Sequence, residues 1–202
     1  MNDETLKSDI SKIKVNIFDK TYTFLTDNGV FSKERLDYGT RLLLENLDIA
    51  KMEGAVLDLG CGYGAIGIIL GSINKNIFID MVDVNERALF LSRENIKLNS
   101  VKNLSVYESD GYKNINNEYN YIVTNPPIRV GKEKLREILI GAKEYLKKDG
   151  ELWFVMRKDH GAKTFQKELE KYYRIDILEK SKGFYIFRCF LHWLFAFYLI
   201  VL

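Results

Sequence analysis

Between residues 55 and 64 the chain runs Ala55-Val56-Leu57-Asp58-Leu59-Gly60-Cys61-Gly62-Tyr63-Gly64, and no other stretch restricts the fold as tightly. The short apolar run that opens it lacks the alternation of a half-exposed strand, so it reads as a strand buried on both faces, as parallel sheets require. Glycines at every second position then let the chain turn sharply and bring bare backbone against a ligand. The apolar residues that follow have helical length. Strand, glycine turn and helix in that order form the opening unit of an open α/β sheet.

The rest of the chain repeats this alternation. Strands are expected near residues 55–59, 77–83, 104–108, 120–124 and 151–156, with helices near 64–73, 85–98, 132–148 and 160–173. Asn85 is a good N-cap for the second of these helices. Two last strands, near 174–180 and 184–190, meet across Ser181-Lys182-Gly183 with no helix between them and so form an antiparallel hairpin. The expected fold is α/β: a doubly wound, mostly parallel, seven-stranded sheet with helices on both faces. Before it, Val15, Ile17, Tyr22 and Phe24 alternate around Asp19-Lys20 as a β-hairpin cap, and Ser32 would cap a helix running to about Leu47. The expectation is one domain over 1–202, divided into a hairpin and helix cap (1–50), a catalytic core (51–188) and an apolar tail (189–202). Hydrophobic content of 47% and charge of 29% are globular values, and a net charge of +2 advertises no strong nucleic-acid field. Two cysteines without metal-like spacing and an acidic, non-apolar start suit a cytoplasmic protein with no metal site.

In such a sheet, ligands bind beyond the carboxyl ends of the strands. Asp58 lies two residues before the first glycine, where a carboxylate would repel a pyrophosphate but suits a cationic methionine moiety. Asp83 ends the second strand, where an acid accepts from ribose hydroxyls, and Asp110 follows the third, where it can accept from an adenine amino group. Singly, each is an ordinary turn residue, and the loop itself could be a tight turn with Asp58 as its cap. Three acids at three consecutive strand ends are hard to attribute to turns.

The fourth strand ends in Thr124-Asn125-Pro126-Pro127, which holds both prolines of the chain. Proline fixes φ and donates no hydrogen bond, so this backbone is rigid and keeps its carbonyls as acceptors. A planar amine is a poor nucleophile because its lone pair is delocalised. Accepting its two N–H bonds at the Asn125 side-chain oxygen and the Pro126 carbonyl favours a more pyramidal nitrogen, held in line for attack. No strong general base is needed once the nitrogen has become cationic.

With these residues in view, the chain resembles the class I (Rossmann-like) S-adenosylmethionine-dependent methyltransferases. More narrowly, it resembles the catalytic domain of the small-subunit ribosomal RNA guanine-N2 methyltransferases, the RsmC-like family, in a short single-domain form. The resemblance covers about residues 12 to 188. It rests on Asp27-Asn28-Gly29-Val30-Phe31-Ser32, Leu36-Asp37-Tyr38-Gly39-Thr40, Asp58 to Gly64, Asn125 to Lys132 and Arg157 to Ala162. It implies a cofactor pocket at Asp58, Gly60, Cys61, Gly62, Gly64, Asp83, Val84, Asp110, Gly111 and Asn125. The target amine would be handled at Asn125, Pro126 and Pro127, with Ile128, Arg129 and Arg157 contacting the substrate. The segment around Phe31 and Ser32 would close over the cofactor. Many relatives carry a base-stacking aromatic where Ile128 stands, a difference of roughly 1–3 kcal/mol in stacking.

The partner implied is ribosomal RNA or the small ribosomal subunit, its target base taken out of the stack. Lys132, Lys134, Arg136, Lys158 and Lys163 fall near the same strand ends as Arg129 and Arg157, although a charge run is ordinarily a solvated face. A release-factor glutamine amide fits the same acceptor arrangement, as does another nucleic-acid amine. A binding module without catalysis is a further alternative. After Arg188 the chain carries no formal charge, and its fourteen residues are short of the roughly twenty that span a bilayer. The tail would pack on the core, touch a membrane or partner, or do nothing.

Overall fold

The computed structural model describes residues 7–127 and 131–192. A hairpin of β1 (Ser11–Ile17) and β2 (Lys20–Thr26) comes first, then α1 (Tyr38–Asn46). The core follows as β3 (Gly54–Leu59), α2 (Ala65–Ile73), β4 (Ile77–Asp83), α3 (Glu86–Leu98), β5 (Leu104–Glu108) and β6 (Tyr119–Thr124). It ends with α4 (Lys132–Gly141), β7 (Leu146–Arg157), α5 (Ala162–Leu169), β8 (Tyr173–Ser181) and β9 (Phe184–Leu191). The seven-stranded sheet has the order β5-β4-β3-β6-β7-β9-β8. Its first five strands pair in parallel, whereas β9 is antiparallel to both β7 and β8. Strand order reverses between β3 and β6, so a crevice opens at their carboxyl ends.

The period-2 geometry of β3 explains its unbroken apolar run. Val56 packs into one core with α2, α3 and the hairpin, while Leu57 and Leu59 pack into a second core with Leu135, Ile138, Phe165 and Leu169 of α4 and α5. In the N-terminal hairpin, Ile17 pairs with Lys20 across Phe18 and Asp19, both at positive φ (52° and 56°). That is the turn whose twist suits a two-residue hairpin.

Three expected boundaries move. Ser32 does not cap a helix: it lies in a left-handed conformation (φ 62°), and α1 begins six residues later behind Asp37, which accepts from Thr40 N–H. The helix expected over 132–148 stops at Gly141, because Tyr145 turns in to stack on Tyr112 at 4.5 Å and Tyr119 N–H bonds to Tyr145 O. Strand β7 therefore starts at Leu146, and its neighbour α5 is confined to Ala162–Leu169. Of the apolar tail, Cys189 to Leu191 complete β9; residues 193–202 lie outside the described residues. No helix among the described residues is long and apolar enough to cross a membrane.

The hairpin is fastened to the core by amides rather than by sheet pairing. Fully buried Asn95 accepts from Leu25 N–H (2.6 Å) and donates to Leu25 O (2.9 Å) and Tyr63 O (2.8 Å). One side chain thus ties β2, α3 and the glycine loop together. We expect Asn95→Ala to leave three backbone groups without partners and to cost roughly 3 kcal/mol. For a chain of this size that lowers Tm by about 6–12 °C by calorimetry; a shift of under 2 °C would contradict the assignment.

Candidate functional site

The glycine loop leaves β3 and enters α2 with Gly60, Gly62 and Gly64 all at positive φ (75°, 57° and 93°), a region other residues enter at a cost. Val82 O at the end of β4 accepts from the N–H groups of Gly60 and Cys61, each at 2.9 Å. From α3, Ser92 Oγ donates to Gly62 O (2.8 Å). A Cβ at Gly60 or Gly62 would meet nothing within 4 Å, so both residues face open space across a backbone cradle. The Cys61 thiol is buried and pushed up well above its usual pKa by burial and by the Asp58 and Asp83 charges, so it is an unreactive wall of the loop.

Asp58 is fully buried; its Oδ2 accepts from Gly67 N–H (2.9 Å), while Oδ1 has no partner. Burial, opposed by the Gly67 bond and reinforced by repulsion from Asp83, raises its carboxyl pKa to about 7. Asp83 stands across the loop, accepting from Gly62 N–H at Oδ2 and from Asn85 N–H at Oδ1, both 2.9 Å. Each oxygen keeps a second acceptor site. The open glycine backbone and an orphaned, buried carboxylate oxygen fit the cationic methionine end of S-adenosylmethionine, and Asp83 suits its ribose hydroxyls. Val84, next in the chain, is exposed.

The loop after β5 brings Asp110 and Gly111 to the same edge, tied by a bond from Ser109 N–H to Asp83 O. Asp110 is not free there. Hydrogen bonds from Lys113 and Lys134 draw its pKa down to about 2. Over the start of α3, the 27–32 segment is held by Arg87 to Asn28 O (2.7 Å) and by Asn85 Nδ2 to Gly29 O (3.3 Å), leaving Phe31 exposed.

Across the crevice, Thr124 Oγ1 donates to Leu59 O (2.7 Å) and so pins the end of β6 to the start of the glycine loop. Asn125 is then half-buried, Pro126 buried and Pro127 exposed. Asn125 Nδ2 donates to Asp37 Oδ2 (3.0 Å) and Thr40 Oγ1 (2.9 Å), which leaves its Oδ1 as the end that can accept. The sequence links Asp37 and Thr40 to this site only through the resemblance. Their spacing as cap and third helical position was the available signal, but nothing local ties them to Asn125. Arg157, at the end of β7, is forked onto Asp159 (2.9 and 2.7 Å) and lies 5.4 Å from the Phe184 ring centroid. Ile128 and Arg129 lie outside the described residues.

A family profile described as "Methyltransferase small domain" matches residues 21–188. The uncharacterized protein YbxB of Bacillus subtilis is 41% identical over 187 residues, covering 91% of this chain and 93% of its own. Ribosomal RNA small subunit methyltransferase C of Pseudoalteromonas translucida is 36% identical over 142 residues, 68% of this chain but only 41% of the relative. The chain thus spans less than half of that longer protein. Among solved structures, the T. thermophilus 16S rRNA N2 methyltransferase RsmC, in complex with AdoMet and guanosine, superposes with a TM-score of 0.76 at 22% identity. That match covers 91% of this chain and 51% of that one, and shows the fold.

The raised Asp58 pKa has a definite sign. Its stabilising contribution is fully present below the unfolded value of 3.8 and is lost as pH rises through about 7. Unfolding free energy of the free protein should therefore fall by up to about 1.4 kcal/mol per pH unit between roughly pH 5 and 7, relative to Asp58→Asn. A cationic ligand favours the ionised carboxylate, so affinity for S-adenosylmethionine should weaken up to about tenfold per unit below pH 7 and flatten in Asp58→Asn. Calorimetric titrations from pH 5.5 to 8.5 read this directly, and parallel profiles for the two proteins would contradict it.

Proposed function

This chain belongs to the methyltransferase small domain family, whose members use S-adenosylmethionine, and from that premise we propose that it methylates the exocyclic N2 amine of a guanine in 16S ribosomal RNA. The observation that carries this reading is the orientation of Asn125. Its amino end is taken by Asp37 and Thr40, which leaves its oxygen as the end able to accept from N–H. An exocyclic amine offers two such hydrogens. The names of the longer relatives, and the guanosine in the T. thermophilus RsmC complex, support guanine and ribosomal RNA as the substrate.

On this reading Asp58, Gly60, Cys61, Gly62 and Gly64 hold the methionine moiety, with the Asp58 carboxylate completing its unpaired oxygen against a cation. Asp83 takes the ribose hydroxyls through its remaining acceptor sites. Val84, Asp110 and Gly111 line the adenine, an uncharged ring that does not compete with Lys113 and Lys134 for Asp110. When bound, S-adenosylmethionine supplies an electrophilic methyl group: the amine lone pair forms the N–C bond while the C–S bond breaks and its electrons stay on sulfur. Asn125 Oδ1 and the Pro126 carbonyl accept the two N–H bonds of the amine, localise its lone pair and fix its direction. The nitrogen becomes cationic and releases a proton to solvent, so no strong base is required at the site. Pro127 and Arg157 would meet the nucleotide and its phosphates; Ile128 and Arg129, which lie outside the described residues, are assigned to the same contact on the resemblance alone.

Labelled methyl transfer tests this with small ribosomal subunits, their naked RNA and a release factor offered separately. We expect label in the RNA, and a loss of about 10²–10³ in kcat for Asn125→Ala at saturating S-adenosylmethionine. Label confined to the release factor would overturn the RNA reading and leave a protein glutamine methyltransferase.

A further inference from the structure

The donor end of Asn125 is held by residues 88 and 85 positions earlier, at the start of α1. A primary amide has one accepting and one donating end of nearly the same shape, so the groups behind it decide which end faces forward. A carboxylate only accepts. Placed 3.0 Å from the amide, Asp37 Oδ2 admits the NH₂ end and repels the oxygen. The same Oδ2 accepts from Thr40 N–H (3.0 Å) as the cap of α1, which fixes the carboxylate on a helix rather than on a loop. Thr40 Oγ1 then takes the second amide hydrogen from one turn inside the helix.

The surroundings leave Asp37 little freedom. A Cβ at Gly39 would lie 3.0 Å from Asp37 Oδ2 and 2.9 Å from Phe184 Cε1, so only glycine fits between the cap and β9. Tyr38 packs on Phe184 with ring centroids 5.5 Å apart, and its hydroxyl lies 2.8 Å from Ser181 Oγ. On the other side the Asp37 charge reaches Tyr63 of the glycine loop, helping burial to raise that phenol's pKa. One carboxylate therefore stands behind Asn125, between the glycine loop and the C-terminal hairpin.

We propose that Asp37, assisted by Thr40, is the positioning residue for methyl transfer: it locks the Asn125 amide with Oδ1 towards the acceptor amine, and its charge, relayed through that amide, offsets the positive charge the amine nitrogen acquires. This rests on the reading of Asn125 as the acceptor of the target amine. A hydrogen bond from Nδ2 to a carboxylate also makes the amide oxygen a better acceptor, because bonds in such a chain polarise one another. The residue touches neither substrate nor reacting atom, and it acts through Asn125.

Serine caps a helix about as well as aspartate but is too short to reach Asn125, and asparagine keeps cap and length while removing the charge. The expected result for Asp37→Ser is a kcat about 10²-fold lower on small-subunit RNA, and for Asp37→Asn about tenfold lower. KM, S-adenosylmethionine affinity and Tm should stay near wild type for both. In the double variant Asp37→Ser/Asn125→Ala the loss should equal that of Asn125→Ala alone, because the two residues act as one unit. Full activity in Asp37→Ser, or additive losses in the pair, would overturn the proposal while leaving the RNA reading intact. The side-chain amide signals of Asn125 in ¹⁵N-labelled protein give a readout that needs no turnover. They should shift and exchange faster in Asp37→Ser, and unchanged signals would sink the proposal even if the functional reading of the site had failed separately.

Discussion

Asp58 is buried with one oxygen bonded and the other bare, and the site is assembled around that imbalance. Leaving a carboxylate oxygen without a partner in the interior costs free energy that an apolar residue in β3 would not. The fold answers the cost in part, by the bond from Gly67 N–H at the first turn of α2 and by a pKa raised to about 7. Asp83 raises it further from across the loop. On the proposed function, a cation held near this carboxylate would offset part of that cost. Beside it the glycines at 60 and 62 face open space, and Val82 O and Ser92 hold that stretch of backbone in place.

The opposite wall depends on the parts of the chain outside the parallel sheet. Asn125 directly follows β6, but the groups that orient it come from α1 and its cap, seated by Phe184 and Ser181 of the C-terminal hairpin. The N-terminal hairpin in turn is clamped to α3 by Asn95, which also holds the glycine loop through Tyr63 O. The hairpin cap and the last two strands thereby hold the glycine loop and α1 in place. The sheet supplies the crevice, and the additions at both ends of the described chain set the direction of the Asn125 amide.

Much of this was readable in the residues because it is local. Unbroken apolar runs such as Val56-Leu57 mark strands buried on both faces, and Asn85 caps α3 where its side chain can reach two N–H groups. The positions of Asp58, Asp83, Asp110 and Asn125 at strand ends followed from the same alternation. What escaped was settled by contacts distant in sequence. Ser32 and Asp37 are both good capping residues, and the choice falls to Asp37, whose side chain is also bonded to Asn125 88 residues away. The end of α4 is fixed by Tyr145 stacking on Tyr112, which no helical period reveals. The pairing of Asp110 with Lys134 likewise depends on how side chains distant in sequence meet after folding.

The central claim is that the Asp58 pocket and the Asn125 acceptor meet to methylate a planar nitrogen on ribosomal RNA. Nucleoside mass spectrometry of small-subunit RNA, taken from cells lacking the protein and then incubated with it and S-adenosylmethionine, addresses that claim most directly. The account predicts N2-methylguanosine at one position, made by wild-type protein and not by the Asn125→Ala variant. Methylation on carbon, on a ribose oxygen or on no nucleoside of that RNA would contradict it.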